Sequence, residues 1–157
     1  MSDIHIDDFY KDAGKILVQL YRTFPRHTLL FIEDISGVDT QDEYGLHSER
    51  HQSCFGAALW LADSGYLVFS VAVRQEALDQ AILSHKAFTL LSARATFTPA
   101  LPDSLTAEQD DNEVLPPSIL EIQSSNIHKL RSALKSGASD KVRQVVQHLL
   151  VQSRNYS

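Results

Sequence analysis

The part of the chain that most constrains its fold runs from residue 48 to residue 91. Ser48 has a side chain that favours a helix N-cap, and Gly65 lies where the following helix would end. The run Tyr66–Ser70, which is rich in strand formers, comes next, and Ser84 is placed to cap another helix. The pattern predicts a helix, a strand, a loop or strand extension, an antiparallel strand and a helix, over residues 48–63, 66–70, 71–76, 77–83 and 84–91.

The residues before this stretch predict a helix, a strand and a short helix. From Asp8 to Phe24 apolar residues recur at helical spacing, which is typical of an amphipathic helix, and Pro25 ends it. The apolar run Thr28–Ile32 favours a strand. A short helix is expected around Thr40–Tyr44, because Gly45 suits a left-handed C-terminal cap.

The C-terminal part of the chain divides into a linker and two predicted helices. Residues 96–117 are acidic, contain prolines and lack periodicity, which indicates a linker or a loop. Residues 118–157 predict two amphipathic helices, the first ended by Gly137 and the second capped by Ser139. We therefore expect a folded domain over residues 1–95, and a helical pair that packs on it or mediates dimerisation.

The charge and cysteine content of the chain limit its partners and its location. The 157 residues include 14 basic and 20 acidic side chains, so the formal net charge is −6. A protein that binds nucleic acid strongly and without sequence specificity usually has a basic surface, so the negative net charge argues against such binding. Basic residues are nevertheless in excess after residue 120. Cys54 is the only cysteine, which excludes an internal disulfide and favours the cytoplasm. No apolar run approaches the roughly 20 residues that span a bilayer, so we expect no membrane partner.

Residues Leu29–Leu91 resemble a bacterial winged helix-turn-helix domain. The resemblance lies in the turn at Gly45, the helix from Ser48, the segment WLADSGYL (Trp60–Leu67) and the strand-to-helix step AILSHKAFTLL (Ala81–Leu91). It implies an α+β, predominantly helical fold, in which a winged helix-turn-helix domain precedes the C-terminal helical pair.

In that family the helix before the wing reads the major groove of DNA, and the wing contacts the backbone or the minor groove. The resemblance places the DNA contacts at the start of this helix and on the wing, at His47, Ser48, Glu49, Arg50, His51, Gln52, Ser53, Arg74 and Gln75. Arg50 has the donors to pair with guanine, and Gln52 has the groups to pair with adenine. We therefore expect a dimeric cytoplasmic transcriptional regulator that binds double-stranded DNA.

The same residues leave a second function open. The predicted recognition helix carries one arginine and no lysine, and Arg74 in the predicted wing is followed by Glu76 and Asp79. Together with the net charge of −6, this composition favours a non-catalytic protein-interaction module with little affinity for DNA. Trp60 is then a candidate interface anchor, although assignment to the core is the simpler interpretation.

A third expectation concerns metal or redox chemistry. His47, His51 and Cys54 follow one another at intervals of four and three residues, and zinc prefers imidazole and thiolate ligands. No fourth ligand is evident, although Asp42 and Glu43 lie nearby in sequence. A redox-sensing Cys54 beside cationic groups is an alternative. The simplest interpretation is a solvent-facing helix start with Cys54 as a small, buried apolar residue.

The sequence carries no catalytic motif. Neither a P-loop nor a nucleophile elbow occurs in it, so we expect no enzymatic activity and no cofactor. Asp39, Asp42 and Glu43 form a small acidic cluster that is able to bind a cation or to act in acid/base chemistry. Solvated loop residues are the simpler interpretation of that cluster.

Overall fold

The computed structural model describes residues 4–95 and 125–156. They form an α+β fold in which helices pack against a small antiparallel sheet. In chain order the elements are α1 (Ile4–Thr23), β1 (Thr28–Phe31), α2 (Glu33–Ser36), α3 (Glu49–Asp63), β2 (Leu67–Val68), β3 (Val71–Val73), β4 (Ala77–Leu83), α4 (His85–Ser92), α5 (Asn126–Ser136) and α6 (Ser139–Gln152), followed by a 3-10 turn over Ser153–Tyr156. The predicted linker over residues 96–117 and the predicted start of the C-terminal pair lie outside the described residues. None of the helices in the described ranges is long and apolar enough to cross a membrane.

Helix α1 packs against α3, α5 and α6, and it begins earlier than predicted. It starts at Ile4 rather than Asp8, because no helix breaker precedes Asp8 and Asp7 complements the positive end of the helix dipole. The helix ends at Thr23, two residues before Pro25. Its buried apolar residues recur every three or four positions, at Ala13, Ile16, Leu17 and Leu20.

Strand β4 is the central strand of the sheet and pairs antiparallel with each of the other three strands. Its bounds, Ala77–Leu83, are those predicted from the sequence. Leu78 is paired with Leu30 of β1 on one side and with Ala72 of β3 on the other. The strand predicted over residues 66–70 is shorter, and the chain resumes pairing as β3, so β3 and β4 form a tight hairpin.

The short helix predicted over Thr40–Tyr44 is wrong. The helical turn at this part of the chain is α2, which follows β1 directly, and residues 37–48 form a loop without helix. The carboxylate of Asp42 accepts hydrogen bonds of 2.9 Å from the backbone N–H groups of Tyr44 and Leu46. This side chain therefore satisfies the backbone donors that a helix would have used, which is how aspartate competes with helix formation.

Helices α5 and α6 bury their apolar faces within the chain itself. They pack against α1 and α4, and Gly14 of α1 permits the approach, since a Cβ there would lie 3.2 Å from Leu130 Cδ1. Ser125 caps α5 through its side chain. Ser139, predicted as the N-cap of the last helix, is instead its first residue, and Ala138 occupies the cap position without a side-chain hydrogen bond.

Buried polar contacts also hold the C-terminal helices against the rest of the described chain. The side-chain amide of Asn126 donates to the Leu90 carbonyl at 2.7 Å and to the Gln152 side-chain oxygen at 3.1 Å. The hydroxyl groups of Tyr66 and Ser153 lie 2.6 Å apart. Since buried polar groups are costly when unpaired, these contacts fix how α5 and α6 sit on α4 and on the end of α3.

Candidate functional site

The start of α3 places the predicted DNA-contact residues in different environments. Ser48 is the N-cap, and its hydroxyl accepts a hydrogen bond of 3.2 Å from the backbone N–H of His51. His47 therefore precedes the helix, and His51 is buried in the interior. Gln52 and Ser53 are exposed on the opposite side of the helix. The residues assigned to DNA contact thus do not share one surface.

Arg50 is bound to α1 by two hydrogen bonds from its guanidinium group. Its Nη1 and Nη2 donate to the two carboxylate oxygens of Asp12 at 2.7 and 2.5 Å, and its Nε lies 3.9 Å from Asp8. The Asp12 side chain is completely buried. The hydrogen bonds to Asp12 raise the pKa of Arg50. The positive charge of Arg50 is therefore matched within the chain, and its function there is to satisfy a buried carboxylate.

The tip of the β3–β4 hairpin carries the two residues predicted for the wing. Arg74 and Gln75 are both exposed, and Arg74 adopts a left-handed backbone conformation with φ of 56°. The backbone carbonyl of Gln75 accepts a hydrogen bond of 2.6 Å from His51 Nε2. The hairpin tip is therefore fastened to α3 through a buried histidine.

The exposed side of α3 forms a continuous strip that we call the outer α3 face. It consists of Glu49, Gln52, Ser53, Gly56, Trp60 and Asp63, which are all exposed and follow helical spacing. The only charged residues among the six are acidic, at the two ends of the helix. The face therefore has a formal charge of −2 and no positively charged side chain.

Aromatic rings support the C-terminal half of the outer α3 face. The Trp60 ring lies edge-on to Phe9 at a centroid distance of 5.3 Å and is stacked at 6.2 Å from Tyr66. The Lys86 ammonium lies 4.5 Å from the centre of the Tyr66 ring. Trp60 is nevertheless 43% exposed, so its ring is fixed by these aromatic contacts on one side and is open to solvent on the other.

A cluster of metal-ligating side chains lies on the other side of the helix start. His47 Nδ1 lies 2.7 Å from Asp39 Oδ2, and the His47 and His51 rings stack with centroids 3.9 Å apart. One ligand atom from each of the three residues falls within 4.8 Å of the other two. Hydrogen bonds from Ser48 and His47 lower the pKa of Asp39, so its carboxylate is anionic at neutral pH. We call these three residues the Asp39–His47–His51 cluster.

Cys54 does not join the two histidines that sequence spacing grouped with it. The residue is completely buried in the core, and its Sγ lies 4.0 Å from the Ile32 carbonyl oxygen. Burial raises the pKa of the Cys54 thiol to about 12. The thiolate form required for metal binding or redox sensing is therefore disfavoured, and the position predicted for a thiolate ligand is taken by the carboxylate of Asp39.

Sequence proximity groups Asp39 with Asp42 and Glu43 rather than with His47, because Asp39 lies eight residues before His47 in a loop whose path depends on the Asp42 turn. Comparison of the chain with known protein families, curated proteins and solved structures finds no match in any of the three. The outer α3 face, the hairpin tip and the Asp39–His47–His51 cluster are therefore the candidate functional sites among the described residues.

Proposed function

We propose that the protein is a non-catalytic protein-interaction module whose outer α3 face docks a partner protein with a basic and partly apolar surface. The observation that carries this proposal is the composition of the face, which has two carboxylates and no positively charged side chain. Glu49 and Asp63 would repel a polyanion such as DNA, whereas they would attract a basic protein surface.

Gly56 supports a partner that packs closely on this face. Glycine inside a helix costs about 0.5–1 kcal/mol relative to alanine. Packing within the described chain does not require it, since a Cβ at Gly56 would meet no atom within 4 Å. The missing side chain leaves room for the backbone of another molecule, which is a common reason for a glycine at such a position.

Trp60 supports the same proposal one turn further along the helix. Tryptophan is enriched among the residues that dominate the binding energy of protein interfaces. The ring of Trp60 is 43% exposed, yet its contacts with Phe9 and Tyr66 fix its orientation before any partner arrives. Binding through a preorganised ring loses little conformational entropy, so Trp60 is the expected anchor of the interface.

The proposed partner is a different protein rather than a second copy of this chain. Glu49 and Asp63 lie at the two ends of α3, so two copies packed through this face would bring like charges together in either orientation. The apolar faces of α5 and α6, which the sequence suggested for dimerisation, pack within the chain's own core. Dimerisation stays an alternative outcome of the experiments below.

The winged-helix arrangement is part of this proposal. It is supported by the order α1, β1, α2, α3 and β3–β4 hairpin, with β1 paired to β4. In this arrangement α3 corresponds to the recognition helix and the hairpin to the wing. The loop over residues 37–48 is longer than the tight turn of a standard helix-turn-helix. Such scaffolds carry both DNA-binding and protein-binding functions, so the surface chemistry decides between them.

Site-specific cross-linking tests the docking face. A photo-reactive amino acid is placed at Gln52 on the outer α3 face and, as the matched control, at Val151, which is 56% exposed on α6. Cross-linked proteins from extracts of the host are identified by mass spectrometry and then purified. We expect one basic protein to be captured from position 52 and not from position 151.

The affinity of the purified partner then tests the residues that carry the proposal. Trp60→Ala should weaken binding about 30-fold, which corresponds to the roughly 2 kcal/mol of a hot spot. Glu49→Lys and Asp63→Lys should weaken it and reduce its dependence on salt, while Val151→Ala should leave it unchanged. Equal capture from both positions, or an affinity insensitive to Trp60→Ala, contradicts the proposal, and capture of the chain itself indicates a homodimer.

DNA binding is the second candidate function, favoured by the exposed Arg74 at the hairpin tip. Fluorescence anisotropy with duplex DNA at low salt measures it, with Arg74→Ala as the test variant. Arg22→Ala, which removes another exposed arginine on α1, is the matched control. Binding that is lost in Arg74→Ala and kept in Arg22→Ala would favour DNA over the docking proposal.

A further inference from the structure

We propose that Asp39, His47 and His51 form a binding site for one divalent transition-metal ion, with Zn²⁺ as the ion that best fits the donors. This site is separate from the docking function, since its side chains lie away from the outer α3 face. Two imidazoles and one carboxylate are a donor set that zinc accepts in proteins. The proposal rests on the geometry of each ligand atom.

The buried ring of His51 is the observation that points to a ligand. Its Nε2 lies 2.6 Å from the Gln75 carbonyl oxygen, which only accepts, so Nε2 carries the proton and donates. In the neutral ring Nδ1 therefore holds a lone pair. Nδ1 is buried and has no hydrogen-bond partner. It lies 3.9 Å from Asp39 Oδ2, so the unpaired lone pair lies beside the other two ligands.

The hydrogen bond from Nε2 of His51 to a backbone carbonyl matches the usual environment of a metal-bound histidine. A histidine that binds a metal through one nitrogen almost always donates the N–H of the other to a carbonyl or a carboxylate, which fixes the tautomer and the ring orientation. The Gln75 carbonyl provides that partner. His51 is thus already in the tautomer that a metal at Nδ1 requires.

His47 contributes by exchanging a proton for the metal. Without metal its Nδ1–H donates to Asp39 Oδ2 at 2.7 Å. On metal binding that proton leaves to solvent, Nδ1 becomes a ligand, and Nε2 takes up a proton from solvent, so the ring stays neutral. The side-chain nitrogen of Gln41 lies 3.2 Å from Nε2, and rotation of the amide by about 180° would place its oxygen there to accept the new N–H.

The separations between the ligand atoms are close to those of zinc geometry, but the nearly parallel rings of His47 and His51, stacked at 3.9 Å, must turn so that both Nδ1 lone pairs converge on one ion. Ligand atoms about 2.0–2.1 Å from a tetrahedral zinc ion are about 3.3 Å from one another. The Asp39–His47 separation of 2.7 Å would widen and the Asp39–His51 separation of 3.9 Å would shorten by similar amounts. Three protein ligands leave a fourth position for water.

Stability of the metal-free fold alone does not account for the cluster. Asp39 is explained by its hydrogen bonds to His47 and to the backbone N–H of Ser48, which lies 3.3 Å from Oδ2. Nothing similar explains His51 Nδ1. A buried acceptor without a partner destabilises the fold, because it has lost its hydrogen bonds to water and has gained none in return. An apolar side chain would fill the same space without that penalty, so a bound ion supplies the missing partner.

Metal titration of the full chain tests the site. The protein is purified without a histidine tag, treated with a chelator and titrated with Zn²⁺ by calorimetry, and with Co²⁺ by visible absorption. We expect one equivalent of metal per chain, a cobalt spectrum typical of tetrahedral coordination, and a higher Tm in the presence of Zn²⁺. Hydrogen exchange should slow in the loop over residues 37–48 and at the hairpin tip.

Variants separate a ligand role from a structural role. Asp39→Asn and His47→Gln keep polar side chains at the two less buried positions, and each should weaken zinc binding by more than about 100-fold, since even outer-shell changes cost 10–100-fold. Their Tm should no longer rise with Zn²⁺. His85→Gln, the same kind of change at an exposed position, should leave both readouts unchanged. Absence of stoichiometric binding, or binding that survives in Asp39→Asn and His47→Gln, would overturn the proposal.

Discussion

The substitution Gly56→Ala should stabilise the isolated protein while weakening its docking. Gly56 lies inside α3, where alanine is favoured over glycine by about 0.5–1 kcal/mol because the unfolded chain loses less entropy on folding. The added methyl group meets no atom within 4 Å, so no packing term opposes this gain. For a chain of this size the gain corresponds to a Tm increase of about 1–4 °C.

Gly14→Ala is the matched control for that magnitude. Gly14 also lies inside a helix, so the change in helix propensity is the same. A Cβ at Gly14, however, would lie 3.2 Å from Leu130 Cδ1 and 3.5 Å from Val146 Cγ2. Part or all of the propensity gain is then lost to crowding against α5 and α6, so this variant should be less stable than Gly56→Ala.

Thermal and urea unfolding measure the free energy of unfolding, and titration with the partner measures docking. The proposal requires the two readouts to move in opposite directions for Gly56→Ala, since the methyl group fills space reserved for the partner. A Gly56→Ala variant that is less stable than the parent would refute the reasoning about the open helix surface. A more stable variant with unchanged partner affinity would refute the close approach of the partner at this position.

Three other substitutions or measurements test the buried contacts. Arg50→Ala leaves the buried Asp12 carboxylate without its charged partner and should lower the free energy of unfolding, measured in urea, by about 3 kcal/mol. Arg74→Ala, the control, should change it by less than about 0.5 kcal/mol. Equal effects would contradict the internal role of Arg50. Burial raises the pKa of Cys54 from 9.0 to about 12, so native protein should resist thiol reagents. Rapid labelling of Cys54 in the native protein would contradict this. Because the neutral thiol is favoured in the folded state, the contribution of Cys54 to the free energy of unfolding should be complete below about pH 9 and should be lost toward pH 12, which unfolding at graded pH measures. Asn126→Ala removes two buried hydrogen bonds, to the Leu90 carbonyl and to the Gln152 side-chain oxygen, and should cost about 1–3 kcal/mol of stability in urea. A neutral effect would mean that the α4–α5 contact is weaker than its geometry suggests.

Elements governed by local signals were predictable from the sequence. Ser48 and Ser84 cap α3 and α4 through their side chains, as predicted, since an N-cap depends only on the next three residues. Gly137 ends α5 in the left-handed conformation for the same local reason. Helical periodicity likewise identified α1, although the helix begins four residues earlier than predicted, and the antiparallel strand β4 has the predicted bounds.

The side-chain partners that define the candidate sites were not predictable, because they join distant parts of the chain. The position of Arg50 in α3 predicts a contact with DNA. Its partner Asp12 lies 38 residues earlier, on a helix whose packing angle the sequence does not reveal. Sequence proximity predicts that Asp39, the proposed ligand, belongs to a solvated acidic cluster with Asp42 and Glu43. Its contact with His47 depends on the path of the loop. The side chain of Asp42 determines that path, because it binds the backbone in a turn where the sequence predicts a helix.

The two sides of α3 provide a way to separate the candidate functions. The outer face adjoins the Asp39–His47–His51 cluster at Gln52, whose side-chain amide donates a hydrogen bond of 2.8 Å to the backbone carbonyl of His47. Gly56 and Trp60 lie further along the helix, so protein docking through these two residues should depend little on zinc. The hairpin tip is different, because the Gln75 carbonyl is hydrogen-bonded to the proposed ligand His51. A metal at His51 would hold the tip, and with it Arg74, in one position. Zinc should therefore affect the affinity for DNA if the hairpin binds it, and leave the affinity for a protein on the outer α3 face nearly constant.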